Sequence, residues 1–192
     1  MKTMTEPAHA GRFDGKVHIL PIRIYYEDTD LSGIVYHANY LRYMERGRSE
    51  FFRNAGIARL AMLEQREATA WTLRRMSIEY MRPARLDDLI VVHTTAMSLT
   101  GARMTADQKI YCGPTLLTHG IVEACIITFD GKPRRLPQDI REKLQPFVID
   151  VNSVRTSATN VIPAKAGMQH SQAPESSQDI EGRPPGSPLS RG

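Results

Sequence analysis

Apolar and polar residues alternate from Val17 to Glu27. Ile22, Ile24 and Tyr26 share one phase and Arg23, Tyr25 and Glu27 the other, which is the period-2 pattern of a half-buried strand ending at Asp28-Thr29-Asp30. After Ser32-Gly33 the period lengthens. Between Ile34 and Ala55, Tyr40, Met44, Gly47, Phe51 and Ala55 recur at spacings of four, three, four and four, drawing one apolar stripe along a helix of about five turns. Gly56 stands where a left-handed C-cap is expected, and Arg42, Arg46, Glu50 and Arg53 occupy other faces. A short second helix is expected around Arg59 to Gln65.

Strand signals resume at Ala70. Trp71 and Leu73 share one phase, while Met76, Ile78 and Tyr80 share the other, so the slip at Arg74-Arg75 predicts a bulge. Leu89 to Leu99, Ala102 to Cys112 and Leu116 to Phe129 read as three long strands. Thr100-Gly101 and Gly113-Pro114 separate them and Asp130-Gly131 closes the last, which makes an antiparallel meander. An amphipathic helix from Pro137 to Leu144 completes the order. One long helix set against a curved antiparallel sheet is an α+β arrangement.

The aromatic residues limit this domain, because all thirteen precede residue 151, whereas the last 42 residues hold seven Ser, five Pro and four Gly without apolar periodicity. Such a composition buries too little surface to offset the entropy of ordering. The chain therefore divides into a flexible N-terminal segment over 1–16, a domain over 17–150 and a disordered low-complexity tail over 151–192. With 41% hydrophobic and 24% charged residues and two cysteines, the chain is neither a disulfide scaffold, a collagen nor a wholly disordered protein. Cys112 and Cys125 read as small core residues. No apolar run approaches the roughly 18 residues of a membrane span, and the first residues lack the apolar core of a secretion signal, so a cytoplasmic location is expected.

A net charge of +4 permits an anionic partner, but Lys and Arg are interspersed with Asp and Glu, so it suits a phosphate-bearing small ligand as well as nucleic acid. His18, His93 and His119 lack metal-ligand spacing, and neither a metal nor a bound cofactor is expected. Ser32, Ser49 and Ser77 lack a nucleophile elbow, and no phosphate loop or dinucleotide fingerprint is present. The densest chemistry runs from Tyr26 to Tyr40, where Glu27, Asp28, Asp30 and His37 crowd the strand-to-helix connection. An Asp in that place commonly caps the helix or closes an Asx-turn.

The pattern Asp28-Thr29-Asp30, Gly33, Val35-Tyr36-His37 and Tyr40 resembles the signature of the hotdog-fold acyl-CoA thioesterases. It is most similar to the 4-hydroxybenzoyl-CoA thioesterase family and to the branch encoded beside the Tol-Pal cell-envelope system. The resemblance continues through Met44-Glu45-Arg46, Tyr80-Met81-Arg82-Pro83-Ala84, Asp87-Asp88 and Lys132-Pro133-Arg134-Arg135-Leu136-Pro137. It implies a hotdog fold, a long central helix wrapped by a curved antiparallel sheet, with sites formed between subunits of a homodimer or homotetramer. It further implies that Asp30 is the catalytic carboxylate, as nucleophile or as general base for water. The helix N-terminus would then polarise the carbonyl through the amides of Tyr36 and His37, and Gly33 would let that backbone approach the substrate. His37 would orient thioester or water.

Glu45, eight residues beyond His37 on nearly the same side of the helix, is the rival carboxylate, or else a solvated partner of nearby Arg46 or Arg48. Lys132, Arg134, Arg135 and Arg82 are candidate contacts to the coenzyme A phosphates, with a solvated basic turn as the alternative. The substrate implied is acyl-CoA, with acyl carrier protein as a second carrier. Two other readings compete: a non-catalytic module that binds acyl-CoA or acyl carrier protein, and a basic nucleic-acid binder. The first would not need Asp30, and the second would need basic and aromatic residues interleaved on one sheet face. A chain ending at Asp150 is expected to keep both its fold and its turnover; loss of thermal unfolding cooperativity or of thiol release in that truncation would give the tail a role.

Overall fold

The computed structural model describes residues 10–57 and 68–149; the helix expected around Arg59 to Gln65 and the tail lie outside the described residues. Strands β1 (Arg12–Asp14), β2 (Val17–Arg23), β3 (Thr69–Tyr80), β4 (Leu89–Leu99), β5 (Arg103–Cys112) and β6 (Thr115–Thr128) accompany helices α1 (His37–Asn54) and α2 (Gln138–Leu144). The strands form one sheet in the order β1-β2-β4-β5-β6-β3, and every pairing is antiparallel. The meander β4-β5-β6 stands at its centre, and β3 forms one edge.

Helix α1 packs on β2 and β4. Its expected stripe is the buried face: Tyr40, Met44, Gly47, Phe51 and Ala55 all turn inward, and Gly56 takes the left-handed conformation at φ +76. One apolar cluster gathers Phe51, Phe52 and Ile57 with Met104, Ile126 and Leu144. A second gathers Tyr40, Tyr43 and Met44 with Ile24, Ile90 and Ile110. Between them runs a polar seam. The fully buried Gln108 donates to the Met44 carbonyl at 2.8 Å and to Thr94 Oγ1 at 2.9 Å, and accepts from Arg48 at 2.7 Å. Gly47 makes that approach possible, since a Cβ there would stand 2.8 Å from Val92 and 3.0 Å from Thr94 Oγ1. Every polar atom of the Gln108 amide thus has a partner, which is what a buried amide requires.

The bulge predicted at Arg74-Arg75 appears as a register shift between Leu73 and Arg75. Three boundaries differ from expectation. The folded region begins before Val17, because Arg12–Asp14 pairs with β2 through a tight turn. Strand β2 ends at Arg23 rather than Glu27: the chain turns into a 3-10 helix at Tyr26–Asp28, and Tyr26 is 83% exposed despite its apolar phase. The helix starts at His37 rather than Ile34, since Ile34 and Val35 are held as β-bridges to Arg85 and Thr29.

His18 is fully buried beside Phe13 and Phe51, with its Nε2 3.0 Å from Asn54 Nδ2, and its Nδ1 has no partner among the described residues. Burial holds its imidazole below the ordinary histidine range against the opposing Ala10 carbonyl and Glu50, and burial together with Lys109 does the same for His93. The unfolded chain therefore binds protons that the folded one refuses. Stability is present in full above the ordinary histidine value near pH 6.5 and declines as pH falls below it, by at most about 1.4 kcal/mol per pH unit for each histidine. Calorimetry at pH 8 and pH 5.5 checks this, and His18→Gln is expected to remove part of the slope.

Candidate active site

The connection between β2 and α1 is a short hairpin closed by local bonds. Asp28 caps the 3-10 turn, its Oδ2 accepting the Tyr25 N–H at 2.9 Å. Thr29 and Val35 then face each other, the Asp30 N–H reaches the Ile34 carbonyl at 3.1 Å, and Gly33 returns its N–H to the Asp30 carbonyl at 3.0 Å. Gly33 adopts φ +71, a conformation that a side chain would strain. Asp30 Oδ1 accepts from the Ser32 N–H at 2.8 Å and from the Ser32 hydroxyl. The Asx-turn expected of such an Asp is present. The Ser32 hydroxyl, its N–H and nearby His37 hold the exposed Asp30 carboxyl below the usual carboxylate range, so it is anionic at neutral pH.

The helix brings His37 next to this loop. Its ring lies 4.4 Å from that of Tyr36 and meets Tyr80 edge-on at 6.4 Å. A half-open cavity of about 250 Å³ is lined by Ile34, Val35, His37, Tyr40, Tyr80, Met81, Arg82 and Pro83. Two hydroxyls brace its walls: Tyr40 accepts the Ala84 N–H at 2.8 Å, and Tyr80 donates to the His37 carbonyl at 3.2 Å.

Of the two amides expected to face a carbonyl, those of Tyr36 and His37, the first is engaged within the chain. The Tyr36 N–H donates to the Asp28 carbonyl at 3.0 Å and is not available to a substrate. Because α1 starts at His37, the first-turn amides of His37 and Ala38 are the ones with no carbonyl one turn back in the helix. Glu45 and the basic turn of Lys132, Arg134 and Arg135 lie apart from this cavity within one chain. Glu45 accepts the Ser49 hydroxyl at 2.5 Å and lines a second cavity of about 140 Å³ with Arg48, Phe52 and Trp71. It stands two helical turns, roughly 12 Å, beyond His37. Lys132 pairs with Asp130 at 2.7 Å and, with the exposed Arg134 and Arg135, follows the end of β6 that pairs with Thr69, whereas Tyr80 pairs with Thr118. The basic turn is thus separated from the cavity by the twelve residues of β3, roughly 35 Å. Of the four basic candidates only Arg82 lines the cavity.

Three residues of the site were not singled out from the sequence. Ser32 holds Asp30. Asn39, 6% exposed in the first turn of α1, donates its Nδ2 to the Asp28 carbonyl at 2.9 Å and ties the loop to the helix. Tyr80 arrives from the end of an edge strand. The Asp-x-Ser spacing was a signal for the first and the run Tyr80-Met81-Arg82-Pro83-Ala84 for the last; Asn39 carries none, because only the fold brings its partner near. Among the described residues no group of three His, Cys, Asp or Glu is placed to hold a metal, and no helix is long and apolar enough to cross a membrane.

Residues 32–118 match the family model described as the thioesterase superfamily. The chain is 38% identical over 122 residues to the acyl-CoA thioester hydrolase YbgC of Escherichia coli, covering 62% of this chain and 90% of that protein. It is 34% identical to the acyl-CoA thioesterase YbgC of Haemophilus influenzae, covering 63% and 89%. Among solved structures, a probable thioesterase from Bartonella henselae is similar at 41% identity with a TM-score of 0.61, over 63% of this chain and 99% of that one.

Proposed function

This chain belongs to the thioesterase superfamily, and from that premise we propose that it hydrolyses acyl-CoA thioesters with the carboxylate of Asp30. The observation that carries the reading is an anionic, ordered Asp30 standing one short hairpin from the N-terminus of α1 and the His37-lined cavity. A thioester carbonyl oxygen at the His37 and Ala38 amides would gain the negative charge that these donors and the helix dipole favour. Asp30 then acts in one of two balanced ways. As nucleophile it bonds to the carbonyl carbon, the C–S bond breaks, the thiolate takes a proton, and water cleaves the resulting anhydride. As general base it takes a proton from water while the oxygen of that water adds to the carbon, and the proton passes to the leaving thiolate. His37 orients water or thioester, and Arg82 supplies a cation for the phosphates at the cavity wall. Thioesters of acyl carrier protein fit the same chemistry. A non-catalytic binding module would have no use for an ordered carboxylate at this place.

The remaining cations join through a second copy. Among the described residues strand β3 leaves one side of its twelve residues without a neighbour in the sheet, the kind of edge that proteins cover. Two copies related by a two-fold axis pair this strand antiparallel, and the Thr69 end of one then runs beside the Tyr80 end of the other. That pairing brings the partner's Lys132, the partner's Arg134 and the partner's Arg135 toward the cavity from which they are remote in one chain. A homodimer is the smallest unit with a complete site, and a homotetramer doubles it. Substrate chemistry and the free thiols of Cys112 and Cys125 fit a cytoplasmic location; a role beside the Tol-Pal system is carried by the sequence resemblance.

Thiol release from short aliphatic, long-chain and hydroxybenzoyl-CoA should be measurable for the wild type and fall at least a hundredfold, about 2.7 kcal/mol of barrier, in Asp30→Asn. Retained activity in that variant would move the carboxylate role to Glu45. No turnover of any thioester, with acyl-CoA still bound, would favour the binding module. Mixing Asp30→Asn with a variant carrying Lys132→Ala, Arg134→Ala and Arg135→Ala should restore about a quarter of wild-type activity, the share expected when half of the dimers hold one intact site. Absence of recovery after subunit exchange would refute the shared site.

A further inference from the structure

The two oxygens of the Asp30 carboxylate are not equivalent. Oδ1 receives both donors of Ser32, the backbone N–H at 2.8 Å and the side-chain hydroxyl, while Oδ2 has no partner among the described residues. The backbone of Asp30 is held on both sides as well, its N–H by the Ile34 carbonyl and its carbonyl by the Gly33 N–H. Val35 anchors the hairpin in the core, but Asp30 to Gly33 are exposed at the tip, so hydrogen bonds rather than burial order that turn. We propose that Ser32 is a positioning residue for thioester hydrolysis, one that fixes Asp30 Oδ1 and thereby presents Oδ2 as the oxygen that acts on the substrate. This inference rests on the reading of Asp30 as the reacting carboxylate.

An Asp side chain free to rotate offers either oxygen in several directions, and only a fraction of those face a carbonyl held at the start of α1. Two donors from one residue select a single rotamer, so the orientation is established before the substrate arrives. The Asx-turn and the catalytic role are therefore one arrangement rather than alternatives. The same two donors favour the charged form and keep Asp30 ionised on an exposed loop, where no buried cation assists. Around Asp30 the charged groups are few. His37 faces it from α1, Arg82 lines the adjoining cavity, Arg85 follows in the segment bridged to Ile34, and the Asp28 carboxylate is turned away to the Tyr25 N–H.

The test compares Ser32→Ala, which keeps the N–H and removes the hydroxyl, with Ser32→Thr, which keeps both. In Ser32→Ala, kcat should fall about tenfold with KM within about twofold of wild type, as expected for a lost orientation rather than lost binding. The Asp30 carboxyl, followed by carbon-13 NMR titration, should move up toward the usual carboxylate range, and the acid limb of kcat/KM should move with it. Ser32→Thr should restore both rate and titration, and the melting temperature should be unchanged in each variant. A Ser32→Ala enzyme with wild-type kcat and an unmoved acid limb, beside an inactive Asp30→Asn, would overturn the role of Ser32 and leave that of Asp30 standing. Activity surviving in Asp30→Asn would remove both.

Discussion

The carbonyl of Asp28 is the constraint on which the candidate site depends. It accepts two hydrogen bonds, from the Tyr36 N–H at 3.0 Å and from the Asn39 side chain at 2.9 Å. Both donors belong to the start of α1, and the acceptor lies two residues before the carboxylate. A backbone carbonyl has two lone pairs, and using both here locks the loop to the helix beside the apolar packing of Val35. The turn from Asp30 to Gly33 can then be short, exposed and still ordered. The same bonds settle which amides face outward, since the Tyr36 N–H is engaged and the next two belong to the first turn.

The helix is held along its length by different means. At its N-terminus the bonds are polar and partly exposed, and in the middle Gln108 and Gly47 bring it close to β4 and β5. Toward its C-terminus the aromatic cluster of Phe51, Phe52 and Trp71 takes over, with Phe52 and Trp71 stacked 4.8 Å apart. Moving α1 along its axis would break the bond from Gln108 to the Met44 carbonyl and the one it accepts from Arg48, stripping partners from a buried amide where an orphan is costly. The position of the helix N-terminus, and with it the direction of its dipole, is thus set by a buried side chain about two turns away.

The basic residues singled out from the sequence fall in two separate places. Arg82 lines the main cavity, while Lys132, Arg134 and Arg135 stand at the far end of β3. The sequence showed these residues as a cluster but carried no measure of how far a twelve-residue strand would hold them from His37.

What was legible in the sequence was whatever repeats with a period. The stripe from Tyr40 to Ala55, the left-handed Gly56, the slip at Arg74-Arg75 and the three meander strands follow from side-chain spacing alone, because a helix or strand face must be apolar to be buried. The Tyr26 to Tyr40 segment was legible as a motif, and its Asx-turn as a habit of Asp. Tertiary structure decided the rest. Tyr26 continues the apolar alternation yet points to solvent, because Asp28 caps a 3-10 turn that ends β2 early. Glu45 and His37 share a helix face yet belong to different cavities, because Tyr80 closes one and Trp71 the other. Periodicity reports which way a side chain faces along its own element; what it meets there depends on residues distant in the chain, whose approach only packing brings about.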